Sequence, residues 1–326
     1  MSLDRRQFLI TLTGSAGLAA PLSRAWADAY PSRPITLVLP FPPGGITDSV
    51  GRVLAKKLTD QMGQPVVVDN RPGASGFVGV QAVKQAPADG YTLFMGHMGT
   101  QVMNPALFAK LPYNPNDLVP ITGLVATPHW LVVAKDSPIK SLADLIAQSK
   151  ATPDGLTFAS QGVGTGGQLL GEMLKARARI SGSHVPYKGS APALLDVLSN
   201  RVGFFFDSVS TSMPYVKDSK LRVLAVATPK RLPLMPEIPT MAELGQPGVD
   251  LSFWFGLFAR AGAPQPILTK VHDEVVQAMH SPEIREVTVP LALENITGTS
   301  ADLKARIDAD SIRWGKVIKD ANIKAD

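Results

Sequence analysis

Short, nearly uninterrupted apolar runs alternate with amphipathic stretches along most of this chain, and that alternation restricts its fold more than any other feature. The runs lie at 35–39, 66–68, 91–95, 131–134, 156–159, 184–187, 202–206 and 223–227. Continuous apolar runs of this length suit strands of parallel sheets buried on both faces. Between them, Val50, Val53, Leu54, Leu58 and Met62 recur at helical spacing, as do Leu169, Leu170, Met173 and Leu174, and Leu194, Leu195, Val197 and Leu198. Strand and helix in alternation predict an α/β architecture with ligands at the carboxyl ends of the strands. The stretch 229–247 carries Pro233, Pro236 and Pro239 and reads as an irregular arm. After the apolar segment 254–258 the chain reads as mainly helical, over 266–280 and 301–321, with an apolar segment at 287–293 between them. A chain that leaves a first lobe near residue 125 and returns near 250 crosses twice, which predicts a hinge. The expected division is 28–125 plus 251–326 for lobe 1 and 126–250 for lobe 2.

Two glycine-rich stretches each fall between a predicted strand and a predicted helix. The first contains Phe41, Gly44, Gly45, Thr47 and Asp48, and the second contains Ser160, Gln161, Gly164 and Thr165. A helix start exposes unpaired N–H groups and the positive end of a dipole, so each stretch is a candidate anion cradle. Two cradles from separate lobes would grip one acidic molecule between them. The plainer reading of each is structural, with glycine permitting a tight turn and Thr47 or Asp48 capping a helix. Three further loops fall at the same strand ends: His97 and Met98 in the first lobe, Tyr187 and Lys188 in the second, and Asp207 after the 202–206 run. A helix start is expected there too, with Ser190 or Ala191 at the cap and Pro192 in the first turn.

Other chemistries fit poorly. Gly162, Gly164 and Gly167 satisfy the dinucleotide fingerprint after a predicted strand. The acidic residue expected roughly 20 positions on is missing. Lys188 leaves an NADP-dependent oxidoreductase as the enzyme alternative. The segment around Ser160 resembles a nucleophile elbow, but Phe158 stands where glycine is required. The five histidines form no metal-ligand pair, and the absence of cysteine excludes disulfides and thiolate chemistry. No cofactor and no metal are expected.

Residues 1–27 read as a twin-arginine-type signal peptide. Arg5 and Arg6 precede Phe8 and Leu9, a weakly apolar run follows, and Ala25, Trp26 and Ala27 form an A-x-A cleavage site. Removing Arg5, Arg6, Arg24 and Asp4 lowers the formal charge from +5 to +3. That mild balance argues against a dedicated nucleic-acid binder and slightly favours acidic small ligands. A periplasmic location is expected.

Five ordered motifs carry a resemblance over residues 30–322. They are the stretch 40–48, the Asn70-Arg71-Pro72-Gly73-Ala74 segment, 88–93, 185–189, and Pro239-Thr240 followed by Glu243 and Gly245. Together they closely resemble the Bug (Bordetella uptake gene) family, extracytoplasmic solute receptors of tripartite tricarboxylate transporters. The resemblance implies a two-lobed periplasmic binding protein fold of type II-like form, in which each lobe is a sheet flanked by helices and two crossings form the hinge. It implies a non-enzymatic, monomeric receptor that closes on a di- or tricarboxylate, an acidic amino acid or an aromatic acid. The receptor would deliver that acid to the membrane subunits of a transporter, or present the closed form to a signalling partner. Carried over by position, Phe41, Gly45, Thr47 and Asp48 form one wall and the 160–165 loop the other, with Tyr187, Lys188 and Asp207 contributing. One departure stands out: Gln168 replaces a histidine common in the family, removing a cationic contact from that position.

Overall fold

The computed structural model describes residues 30–320 and residue 323. The segment read as a signal peptide lies outside the described residues. Strand β1 (Ile35–Leu39) feeds helix α1 (Ile46–Met62), which ends at Gly63 in the left-handed conformation that glycine adopts without strain. β2 (Val66–Asn70), α2 (Phe77–Gln85) and β3 (Thr92–His97) follow, and β1 pairs in parallel with both β2 and β3. A π-turn over Gly99–Met103 leads into the single turn α3 (Asn104–Leu107).

Strand β4 (Leu118–Ala134) joins the two halves of the molecule. Its first part, through Pro128, runs antiparallel to β9 (Ser252–Arg260), which in turn pairs antiparallel with β3. From His129 onward β4 leaves β9 and pairs antiparallel with β7 (Phe204–Ser208) and β8 (Leu221–Val226). In that second half β5 (Phe158–Ser160) lies in parallel between β7 and β6 (His184–Pro186). The strand order is β2-β1-β3-β9-β4-β7-β5-β6, with β8 and the short β10 (Glu294–Asn295) also on β4. Helices α4 (Leu142–Ala151), α5 (Gly166–Ala178), α6 (Ser190–Leu198) and α7 (Val209–Lys217) flank the second half. Helices α8 (Gln265–Met279), α9 (Pro282–Thr288) and α10 (Ser300–Asp320) complete the chain.

Eight predicted runs became eight strands, but three features differ from the sequence reading. The sheet is mixed, because β4 and β9 run antiparallel to their neighbours. β4 begins thirteen residues before the predicted run, across Pro120, Gly123 and Pro128. Register shifts at Pro120/Thr122 and Gly123/Val125 absorb those residues, and β10 reaches only Val125 and Ala126, so Pro120 sits where one side of β4 has no strand partner. Leu195, assigned to an apolar helix face, is 63% exposed, whereas Leu194 and Val197 are buried.

The interior is packed by apolar burial and a few pinned polar groups. Val50, Leu54 and Leu58 of α1 join Leu37, Leu39, Val271 and Val275 in one core. Phe158, Leu169, Leu170 and Phe206 share another with Trp254 and Trp314, so α10 bridges the halves. Trp254 Nε1 donates to Asp310 Oδ2 at 2.7 Å, satisfying a buried indole N–H. Among the described residues no helix is long and apolar enough to cross a membrane.

Candidate functional site

Loops β1–α1 and β5–α5 are built alike. In each, a glycine with positive φ (Gly44 at +91°, Gly164 at +76°) precedes the N-cap residue, Gly45 or Thr165. In each, a side chain four residues on folds back to accept that glycine's N–H. Asp48 Oδ2 accepts from Gly44 at 3.1 Å, and Gln168 Oε1 accepts from Gly164 at 2.7 Å. This back-bond turns the loop so that the glycine, which adopts that φ without strain, leads into the helix start, exposed at Gly44 and Gly45 but buried at Gly164, Gly166 and Gly167. Gln168 therefore occupies the place of Asp48, without a charge.

Asp48 is buried and fully engaged. Its carboxylate also accepts from Arg52 Nε at 3.0 Å and Asn70 Nδ2 at 3.1 Å, and Asn70 Nδ2 donates to the Phe41 carbonyl at 3.1 Å. Hydrogen bonding from Arg52 is the main reason its carboxyl lies below the usual carboxylate range, aided by Gly44 and Asn70 against the cost of burial. Asp48 thus braces the loop, and the Asn70 of the second sequence motif is the partner that makes it rigid.

The two helix starts differ in what their amides do. Among the described residues no protein group accepts from the N–H of Gly45, Ile46, Thr47 or Asp48 at the start of α1. At the start of α5, Thr165 N–H donates to the Gly162 carbonyl at 3.3 Å and Gly167 N–H to Gln161 Oε1 at 3.2 Å. The first loop therefore offers a run of free donors, and the second is half closed by its own chain.

Gln161 is held in turn by Asp207, which accepts from Gln161 Nε2 at 3.0 Å, Ser190 Oγ at 2.6 Å and Thr211 Oγ1 at 2.6 Å. Asp207 is fully buried, and burial pushes its carboxyl up while these donors pull it down. The helix expected to cap at Ser190 or Ala191 starts one residue earlier, with Gly189 at the cap and Ser190, its first residue, turned inward to Asp207.

The remaining predicted residues take varied places. Ser160 is fully buried, with its hydroxyl 2.6 Å from His184 Nε2 and donating to the Gly162 carbonyl, so it holds the loop from behind. Thr165 Oγ1 likewise donates to the Gly162 carbonyl at 2.7 Å. Met98 is 1% exposed and packs in the core. Thr47 is buried, whereas Gly44 and Gly45 are open, and a Cβ built at either meets nothing within 4 Å. Tyr187 donates to Asp196 Oδ2 at 2.7 Å, and Lys188 is exposed with no carboxylate partner among the described residues.

A series of rings connects the two loops. Phe41 of the first loop lies 4.8 Å from the His97 ring, His97 stacks 5.6 Å from Phe253, and Phe253 lies 6.5 Å from His129. A Cβ on Gly166, the first residue of α5, would stand 2.9 Å from His129 Nε2. His97 Nδ1 accepts from Gly99 N–H at 3.0 Å, which places its proton on Nε2, and that buried N–H has no partner among the described residues. His129 Nδ1 is also buried without a partner among the described residues. Burial pushes the His97 imidazole down to about 3, and that of His129 to about 4 against a bond to the Thr127 backbone. Both rings are neutral at physiological pH.

Sequence reasoning missed His129, Phe253, Leu107 and Leu251. His129 and Phe253 fall at the point where β4 parts from β9, which no local pattern marked. A Cβ on Gly164 would stand 2.7 Å from Leu107 Cδ1, and one on Gly166 2.5 Å from Leu251 Cδ2. The second loop is thus pressed against the first half and the return crossing. Among the described residues no cluster of three potential metal ligands occurs.

Residues 50–323 match the model of the tripartite tricarboxylate transporter family receptors, TctC. The protein BugT of Bordetella pertussis is 36% identical over 312 residues, spanning 95% of each chain. An adipate-bound protein of R. palustris is 35% identical with a TM-score of 0.84, covering 90% of this chain and 99% of its own. MatC from Rhodopseudomonas palustris, solved with bound malate, is 30% identical with a TM-score of 0.79, covering 89% and 100%. The periplasmic binding protein BugD is likewise 30% identical with a TM-score of 0.79, covering 90% and 99%. Solute-binding receptors, not enzymes, make up this group, and the chain belongs to the tripartite tricarboxylate transporter receptor family.

Proposed function

We propose that this chain is a periplasmic receptor that captures a small carboxylate between its two lobes and delivers it to the membrane subunits of a tripartite tricarboxylate transporter. The observation that carries this reading is the run of four consecutive amides, Gly45 to Asp48, with no acceptor among the described residues, at the start of a seventeen-residue helix. The dipole of α1 and these donors favour an anion there, and the Asp48–Arg52–Asn70 bracing holds the loop in place without a ligand. Backbone donors stabilise the bound acid without a fixed counter-charge. A micromolar dissociation constant needs about −8 kcal/mol, within reach of a few charge-assisted bonds of roughly 1.5–3 kcal/mol each. The adipate and malate bound by relatives of similar fold are carboxylates of suitable size.

The lobes of this reading are residues 28–125 plus 251–326 and residues 126–250. The strand exchange at Pro128/His129 of β4 and the return into β9 support this division as its two crossings. Such crossings permit a hinge, and a ligand touching both lobes favours the closed state. Export through the 1–27 segment by the twin-arginine route completes the reading. The test is calorimetric titration of the dialysed protein with adipate, malate and hexanoate, with the recovered acid checked by mass spectrometry. Saturable binding of at least one acid, recovered unchanged, is expected; no binding of any, or chemical conversion, defeats the proposal.

A further inference from the structure

The C-terminal helix α10 grips the return crossing on both sides of the lobe boundary. On the lobe 1 side, Asp310 Oδ2 accepts from Trp254 Nε1 at 2.7 Å. Three residues on, and so on the same helix face, Arg313 reaches the lobe 2 side. Its Nη2 lies 2.9 Å from the Asp250 carbonyl, 3.3 Å from the Gly248 carbonyl and 3.1 Å from Asp250 Oδ2. The guanidinium also lies 4.9 Å from the centre of the buried Trp314 ring, which restricts the positions it samples. The two crossings are themselves stitched together. Ala227 N–H donates to the His129 carbonyl at 2.8 Å, and Leu251 N–H donates to the Ala227 carbonyl at 3.0 Å. A bend at one crossing therefore moves the other. Gly248, at φ +85° with no atom within 4 Å of a Cβ built there, is placed to absorb such a bend. The lobes stand shut, since a Cβ on Gly164 of lobe 2 would lie 2.7 Å from Leu107 of lobe 1. The Asp310–Trp254 bond joins two parts of lobe 1 and survives opening, whereas the Arg313 contacts join lobe 1 to lobe 2 and are stretched by it.

We infer that Arg313 is a positioning residue for ligand capture, a latch that holds the lobes shut through Gly248 and Asp250 without touching the ligand. This rests on the two-lobe receptor reading above. The latch is modest by design: the side chains of Arg313 and Asp250 are 40% and 27% exposed, and an ion pair so open to solvent contributes little by itself. The two backbone carbonyls and the Trp314 ring fix the guanidinium in place, so less freedom is lost when the contacts form. Apparent affinity scales with the fraction of unliganded molecules already shut. Loosening the latch therefore weakens every ligand by one common factor, whereas losing a ligand contact weakens different ligands unequally.

The chain has no cysteine, so Gln85→Cys and Lys150→Cys, exposed positions on lobe 1 and lobe 2, take spin labels at those two sites alone. Double electron–electron resonance then reads the distance between the lobes, and calorimetric titration with adipate and malate reads affinity. Arg313→Ala is expected to weaken whichever of these acids the wild type binds by about three- to tenfold, by the same factor for each and through faster dissociation. It is also expected to broaden the interlobe distances of the unliganded protein. Arg313→Lys, which keeps the charge but not the planar group, should fall between Arg313→Ala and wild type. Lys316→Ala, which removes the Lys316–Asp320 pair on the same helix, should change none of these. A folded Arg313→Ala protein with wild-type affinity and wild-type distances overturns the latch, whatever its melting temperature. An equal effect from Lys316→Ala, or weakening that differs more than threefold between the two acids, overturns it as well. Binding of neither acid by the wild type tells against the carboxylate-receptor reading alone, because the distances in the unliganded Arg313→Ala protein still decide the latch.

Discussion

Replacing Gly45 by valine separates the ligand-binding role of the first loop from its structural one. Gly45 has φ −89° and ψ −178°, an extended conformation open to any residue, and a Cβ there meets nothing within 4 Å. The fold should therefore tolerate the change, with stability altered by no more than about 0.5 kcal/mol. Binding should not tolerate it. The branched side chain stands at the helix cap and obstructs approach to the free amides of Gly45, Ile46 and Thr47. If each gives an anion about 1.5–3 kcal/mol, losing two of them costs roughly 3–6 kcal/mol, a drop in affinity of at least about a hundredfold. Urea unfolding measures the first quantity and isothermal calorimetry with adipate and hexanoate the second. A variant of native stability that binds within threefold of wild type would show that the first loop is only a turn.

Further outcomes follow from the same geometry. Asp48→Ala removes the acceptor of Gly44 N–H and one acceptor each of Asn70 and Arg52, and should lower unfolding free energy by about 2–4 kcal/mol; Asp48→Asn should cost less. Because the carboxyl of Asp48 lies below its ordinary range, its contribution is complete above the unfolded-state value and fades as pH falls through the folded one, so the gap between wild type and Asp48→Asn should shrink below about pH 4. His97, His129 and His184 are held at about 3, 4 and 4, chiefly by burial. The unfolded chain protonates these rings near 6.5, so stability should fall as pH drops from about 6.5 towards 4, and a flat urea midpoint between pH 7 and 4.5 would contradict that. Gly164→Val combines positive φ with a collision at Leu107 on the opposite half, and should weaken ligand affinity and enlarge the scattering radius of the liganded protein. Adding Leu107→Ala should restore part of both.

Much of the fold was legible because parallel strands and their helices write themselves locally. The 35–39 run and the Val50, Leu54 and Leu58 spacing each follow from burial on known faces, and both became elements as expected. Both glycine-rich loops lie at helix starts, since a glycine ahead of a helix needs only local geometry to be read. The early half of β4 was hidden because its prolines break any local strand pattern, and only register shifts against β9 make room for them. Leu195 was assigned to a buried face because helical spacing alone does not say where an apolar stripe ends.

The residue sequence by itself settled that two strand-to-helix loops lead into helix starts, because glycine spacing and capping are short-range matters. It left those loops equivalent. Tertiary structure made them unequal: Asp207, forty-six positions beyond Gln161, clamps that side chain onto the Gly167 amide, while Asn70, twenty-two positions beyond Asp48, braces the first loop and leaves its donors free. Hydrogen-bond saturation of a backbone amide depends on which distant groups packing brings within 3 Å or so, and no local pattern carries that information.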